Sequence, residues 1–326
     1  MDLVSVIMPC YNHAAFIQAA IDSILRQTHS ELELIVVDDC STDESADLIR
    51  TAASVDARVR FHLRSTNGGV SGARNDGIEM AQGTLIAFCD ADDIWLPHKL
   101  EFQVELLRRS PAYGLTYCDS EIIDEHGKST GRKFGEQYKM PACGTGNLFP
   151  ALCETNFINI QTVLVRRSAL PAKRPFDEGL LCLEDWWLWI CVAARTQFVY
   201  DERMLAKYRV HAMSTNRMKQ RQYQRDRWRV CRRNLLGHPD MPSGLQGLMW
   251  YSMGLASNGF GRRKAARAFM LRGFRIAVLG GGPLKRTLRM AARIAVSCSG
   301  PARKQKKETL GNYITGASGE EVGPVR

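Results

Sequence analysis

Leu32-Glu-Leu-Ile-Val-Val37-Asp38-Asp39-Cys40-Ser41-Thr42-Asp43 opens with an apolar run and closes on acids. The run at 32–37 is rich in β-branched residues, as in strands buried within a parallel sheet. Working outward, residues 4–8 read as a second strand. Phe16, Ile17, Ala20, Ile21, Ile24 and Leu25 follow helical spacing, which predicts a helix with one buried face. Further strands are expected at 59–63, 84–89 and 115–118, with helices at about 72–81 and from Pro97 to about Arg109. Alternating strands and helices predict an α/β fold with a mostly parallel central sheet. Such sheets bind ligands at the carboxyl ends of their strands. Residues 127–160, rich in Gly, Pro and Asn, predict loops or a flap. A strand is expected at 160–165 and a helix at 186–194, and from Arg217 onward the pattern is helical and basic.

The 326 residues are 45% hydrophobic and 24% charged, ordinary values for a folded protein. None of the ten cysteines forms a CxxC pair, which argues against a zinc ribbon or a thioredoxin-like site. They read as reduced core thiols of a cytoplasmic protein. The N-terminus lacks the basic region of a signal peptide, and no stretch approaches the roughly 18 apolar residues of a membrane span. A soluble or peripheral protein is expected. The net charge of +10 is unevenly placed: residues 217–233 contribute +7 and residues 261–307 contribute +14, so the remainder carries −11. An acidic body with a basic tail suggests two jobs.

Asp38 and Asp39 stand where a buried strand ends. Ser41 and Asp43 suffice to cap the next helix. The two adjacent acids exceed that need, and a carboxylate there can accept from the imide N–H of uracil or thymine. In Thr84-Leu-Ile-Ala-Phe-Cys-Asp90-Ala-Asp92-Asp93, three carboxylates within four residues repel one another unless a cation neutralises them. Oxygen ligands favour a divalent metal such as magnesium or manganese. The D-x-D spacing would turn both acids to one side of an extended chain. Asn67-Gly-Gly69-Val-Ser-Gly-Ala-Arg74-Asn75 is a glycine-rich entry to a helix, with Arg74 a partner for a nucleotide or its phosphates. Glu184 and Asp185 open a segment with three tryptophans in four residues. That segment is either core packing or an aromatic platform for a sugar, with Trp186 nearest the acids. An acid beside it is a candidate general base. His211 alone reads as structural.

In their order and separations, these motifs resemble the family 2 glycosyltransferases and their nucleotide-binding GT-A fold. The resemblance covers about residues 3–215: Val4-Ser-Val-Ile-Met-Pro9-Cys-Tyr11-Asn12, Val37-Asp38-Asp39-Cys-Ser-Thr-Asp43, Gly69-Val-Ser-Gly-Ala-Arg74-Asn75, Asp90-Ala-Asp92-Asp93-Ile-Trp95-Leu-Pro97, Glu184-Asp185-Trp186 and Tyr208-Arg209-Val-His211. It implies that Pro9 and Tyr11 flank the nucleotide base and Asp39 reads it. Asp90 and Asp92 would form the D-x-D pair, with Asp92 favoured as metal ligand and His211 near the diphosphate or the metal. Asp185 would deprotonate the acceptor hydroxyl in an inverting transfer. Cys40 departs from the family pattern, where glycine is common, and leaves the geometry of that turn open.

The organisation read from the chain is a catalytic domain at 1–215, a basic helical region at 216–310 and a disordered tail at 311–326. At about 100° per residue, Lys285, Arg286, Arg289 and Arg293 share one face of a basic amphipathic helix, a pattern suited to anionic membrane surfaces. No reader motif accompanies the charge, so nucleic acid is not an expected partner. The expected partners are a UDP- or dTDP-linked sugar donor and a glycan or lipid-linked acceptor, in surface polysaccharide or glycolipid synthesis of the cell envelope. The expected location is cytoplasmic, peripheral at the inner face of the membrane. The rivals are a metal-dependent nucleotidyltransferase and an inactive membrane-associated scaffold of the same fold.

Overall fold

Every residue of β1 (Val4–Cys10) and β2 (Leu32–Asp38) is buried, and the polar pair within these mostly apolar strands is satisfied internally, the Ser5 hydroxyl donating to Glu33 Oε1 (2.6 Å). They pair in parallel from Val4 opposite Leu32 to Cys10 opposite Asp38, so both chains reach the same edge together. In a computed structural model describing residues 2–137, 140, 144–211, 220–237, 242–259 and 262–279, they belong to the parallel end of a nine-stranded sheet. β3 (Val59–Leu63) joins β2 and β4 (Leu85–Phe88) joins β1, both in parallel.

The period of two along these strands divides the core into two layers. Val6, Met8, Leu34, Val36 and Ala87 face α1 (Ile17–Leu25), α2 (Ser45–Val55) and, further along, α4 (Lys99–Arg109). Ile7, Ile35, Val37, Ile86 and Phe88 face α3 (Val70–Met80), which starts from Gly69 at φ 84°, a left-handed conformation open to glycine.

Beyond β4 the sheet changes character. After the short β5 (Ile94–Trp95) come β6 (Tyr113–Ile123) and its hairpin partner β7 (Ser129–Lys133), then α5 (Phe134–Gln137), α6 (Phe149–Leu152) and β8 (Val163–Arg166). β8 lies antiparallel between β4 and β6. α7 (Glu184–Ala193) leads into β9 (Gln197–Arg209), which pairs in parallel with β6 and antiparallel with β5. The segment expected as a strand at 160–165 begins instead as a 3-10 turn over Ile160–Thr162. Residues 127–160 hold short elements among their loops.

Three helices follow: α8 (Gln220–Gly237), α9 (Ser243–Gly259) and α10 (Arg263–Leu279). Val230 and Cys231 of α8 and Met249 and Met253 of α9 lie in the same core layer as Trp186, Leu188 and Trp189. α10 lies close on α9: a Cβ at Gly273 would fall 2.4 Å from the Gly247 carbonyl oxygen. Among the described residues no helix is long and apolar enough to cross a membrane. Eight of the cysteines are described and all eight are free. The amphipathic helix expected at 284–296 and the tail at 311–326 lie outside the described residues.

Candidate active site

The loops leaving β1, β2 and β4 meet at one edge of the sheet. Two turn through left-handed residues, Asn12 at φ 56° and Cys40 at φ 67°. A side chain at φ 67° is tolerated at a cost glycine avoids, which accounts for glycine at that position in the family. The β1 and β2 loops are stitched together. The Asn12 N–H donates to Ser41 Oγ (2.9 Å), and its carboxamide oxygen accepts from the Thr42 N–H (2.8 Å). The His13 N–H donates to Ser45 Oγ (3.0 Å) and the Ala14 N–H to Asp43 Oδ2 (3.0 Å). Asp43 also accepts from the Ser45 N–H, so it binds the start of α2 as expected. Pro9 is buried in β1, whereas Tyr11 just beyond it is 45% exposed.

Asp38 accepts from the Ser41 N–H (3.0 Å), and its Oδ1 is buried without a hydrogen-bond partner. Asp39 accepts from the Gly68 N–H (2.9 Å), the Gly69 N–H (2.7 Å) and the Arg64 guanidinium. It therefore builds the glycine-rich loop. With three donors engaged, about one lone-pair direction of its four remains for a base.

Arg74 differs most from its reading as a nucleotide partner. It is 3% exposed and bridges Asp90 Oδ1 (2.7 Å) and Glu184 Oε1 (2.6 Å). Burial opposes its charge, and the Asp90 and Glu184 carboxylates more than offset this, leaving its pKa above the usual arginine value. Next to it, Asn75 holds both the carbonyl oxygen (2.9 Å) and the N–H (3.0 Å) of Phe176. α3 thus ties the segment before α7 to the sheet.

The extended geometry expected of the D-x-D residues is replaced by a turn, in which the Asp93 N–H donates to the Asp90 carbonyl oxygen (3.1 Å). The two acids part. Asp90 meets Arg74, while Asp92 Oδ2 lies 2.9 Å from His211 Nε2. Burial raises the Asp92 carboxyl, but the His211 hydrogen bond and the neighbouring His13 bring it below the ordinary value. His13, Asp92 and His211 each offer a ligand atom within 4.8 Å of the others, and Asp90 is not part of this group. Asp93 takes a structural place. It is 1% exposed and accepts from the Arg209 N–H (2.8 Å), and burial beside Asp92 and Asp90 pushes its carboxyl well above the usual range.

Glu184 and Asp185 occupy the first turn of α7, entered through Leu183 at φ 63°. Asp185 accepts from Asn156 Nδ2 (3.0 Å) and from the Trp186 N–H (2.6 Å). Burial, with the Glu184 charge alongside, pushes its pKa up to about 7, against an opposing pull from Arg74. The strained entry is held from behind. The fully buried Asp226 of α8 accepts the N–H groups of Leu181 (2.9 Å) and Cys182 (3.0 Å). Arg229 donates to the Gly179 carbonyl oxygen (2.6 Å), and Arg233 pairs with Asp177.

The aromatic platform is a correction. Trp186 is 2% and Trp189 0% exposed, and the Trp186 indole donates to the Leu152 carbonyl oxygen (2.6 Å), so both serve the core. His13, Asn156 and Asp226 are functional residues that the sequence expectations do not include. His13 follows directly on the Pro9-Cys-Tyr11-Asn12 motif, and that was its signal. Asn156 and Asp226 carried none, because their roles arise from long-range contacts.

Residues 5–168 match the family described as Glycosyl transferase family 2. An uncharacterized glycosyltransferase of Nostoc sp. is 33% identical over 225 residues, covering 65% of this chain and 66% of that protein, just under two thirds of its length. WfgD of Escherichia coli, described as a UDP-Glc:alpha-D-GlcNAc-diphosphoundecaprenol beta-1,3-glucosyltransferase, is 31% identical over 232 residues, covering 69% of this chain and 84% of the relative. Among solved structures, S. aureus TarS 1-349 in complex with UDP-GlcNAc superposes with a TM-score of 0.65 at 17% identity, covering 90% of this chain and 88% of that one. At that identity the likeness shows the shared fold.

Proposed function

The chain belongs to glycosyl transferase family 2, and from that membership we propose that it is an inverting glycosyltransferase moving a sugar from a UDP- or dTDP-linked donor to an acceptor hydroxyl. The observation that carries this reading is the placement of Asp185. Its carboxyl has a pKa pushed up to about 7, sits in the first turn of α7, and is linked through Glu184 and Arg74 to the Asp90 turn. A base is most effective when its pKa lies near the working pH. Asp185 would take the acceptor's proton as that oxygen attacks the anomeric carbon. Asn156 and the Trp186 N–H fix the carboxylate's orientation.

On the donor side, the stitched β1 and β2 loops and the glycine-rich loop would receive the nucleotide, with Tyr11 and Pro9 at the base and Asp38 and Asp39 shaping its pocket. A divalent metal fits here: one carboxylate and two imidazoles converge within 4.8 Å, and the His13 Nδ1 is buried without a hydrogen-bond partner. Asp92 and His211 would hold it, and when bound it supplies neutralisation of the charge that builds on the departing diphosphate. Asp90, held by Arg74, would set the position of this turn.

We take the acceptor to be a glycan or glycolipid of envelope synthesis, met at an anionic membrane surface. WfgD, by its description, acts on a lipid-linked sugar. α10 supports the membrane part: Lys264, Arg267, Arg272 and Arg275 are exposed on it together with Leu271, Val278 and Leu279.

The test is Asp185→Asn, assayed with a panel of sugar nucleotides and a soluble acceptor. Sugar-nucleotide affinity should stay near wild type while kcat falls about 10²-fold or more. Wild-type turnover in this variant would move the base elsewhere.

A further inference from the structure

In the proposed transferase, Asp92 and His211 are the two protein ligands of the metal. His13 stands beside them, from a different loop, with no role assigned. Its ring lies 6.1 Å from that of His211, centroid to centroid, at an interplanar angle of 86°. Its backbone is fixed rather than loose, because residues 12–14 are hydrogen-bonded to Ser41, Thr42, Asp43 and Ser45 of the next loop. Its Nδ1 is buried without a hydrogen-bond partner, a situation that ordinarily costs about 1–3 kcal/mol.

The distances fit a shared ion. A metal with nitrogen and oxygen ligands at about 2.0–2.2 Å spans at most about 4.4 Å between two of them. The three ligand atoms here lie within 4.8 Å of one another, so side-chain movement of about an ångström or less brings them into range. The donor set also discriminates. Imidazole suits transition metals, whereas magnesium prefers oxygen and keeps its waters.

We propose that His13 is a third protein ligand, completing with Asp92 and His211 a site of two imidazoles and one carboxylate that binds a divalent transition metal without nucleotide and disfavours magnesium. This rests on Asp92 and His211 holding the metal of the transferase reading. Three ligands from the protein would leave the remaining coordination positions to diphosphate oxygens or water. A site with so many protein ligands has no need of the substrate to retain its ion.

The test measures metal directly and needs no turnover. The full chain, stripped of metal, is titrated with Mn2+ and the free ion is followed by electron paramagnetic resonance, with no nucleotide present. Wild type should show one site, and a hundredfold excess of Mg2+ should leave it occupied. His13→Gln and His13→Ala should each weaken Mn2+ binding at least about tenfold, the loss typical even of residues one step removed from a metal. Circular dichroism melts of both variants establish that they fold. If both bind Mn2+ as wild type does while Asp92→Asn does not, His13 is not a ligand and the two-ligand reading stands. If wild type binds Mn2+ only once UDP is added, the inference fails in the same way. Displacement by Mg2+ at or below that hundredfold excess would overturn the selectivity.

Discussion

Asp185 concentrates the chemistry into one titration. A base must be ionised to act, so kcat/KM should fall about tenfold for each pH unit below about 7 and level off above it. Glu184→Gln removes a charge that raises this pKa, and the acidic limb should then move to lower pH. An unmoved limb would mean that another group is the base. Stability has the opposite slope. The folded pKa lies above the ordinary 3.8, so the folded state binds more protons between these values and loses stability as pH rises through them. Asp185→Asn has no such titration. Its melting temperature should therefore gain on wild type as pH rises from about 4 to about 7 and hold that gain above, as followed by calorimetry. The acids were legible in the sequence because adjacent carboxylates at a strand's end are hard to explain otherwise. Their division of labour was not. Asp90 and Asp92 separate because the chain turns between them, and Arg74 spends its charge on Asp90 and Glu184 through contacts across 16 and 110 residues.

Among the elements, the parallel half was the most readable. β1 and β2 are buried on both faces, so their sequences are mostly apolar, and α1 buries Ile17, Ala20, Ile21 and Ile24 at helical spacing. β9 was not anticipated. Asp201, Glu202 and Arg203 interrupt its pattern, and its pairing with β6 shifts register more than once. The clamp by α8 also escaped notice, because a lone acid among arginines looks like surface charge. Asp226 is instead fully buried and accepts two consecutive backbone N–H groups just before the left-handed Leu183. Removing a buried acceptor leaves its donors unpaired, at about 1–3 kcal/mol each. Asp226→Ala should thus destabilise the chain by about 2–4 kcal/mol and reduce kcat with little change in KM for the donor. Hydrogen exchange should show lost protection at the Leu181 and Cys182 amides. Wild-type protection there would mean that the clamp does not hold the loop.

At the scale of the molecule, charge is segregated: the segments at 217–233 and 261–307 carry the positive excess over a body of −11. On α10 that excess is exposed alongside Leu271, Val278 and Leu279, a combination suited to an anionic interface. Each such cation near a charged membrane is worth about 1 kcal/mol. Reversing Arg267, Arg272 and Arg275 to glutamate should therefore lower co-sedimentation with phosphatidylserine vesicles by about 10²-fold or more and spare turnover of a soluble acceptor. Unchanged sedimentation would remove α10 from membrane binding.

The Arg74 bridge bears on how such chains can be recombined. The stretch matching the family ends at residue 168, while the acid that completes the arginine's pairing stands at 184. A hybrid joining this N-terminal portion to a relative's downstream portion would bring in a foreign residue opposite a buried guanidinium. If that newcomer lacks a carboxylate, the cation keeps one partner, and the seam fails by leaving charge uncompensated, however well the apolar surfaces match. Compatibility between halves would then be decided by a single inherited acid.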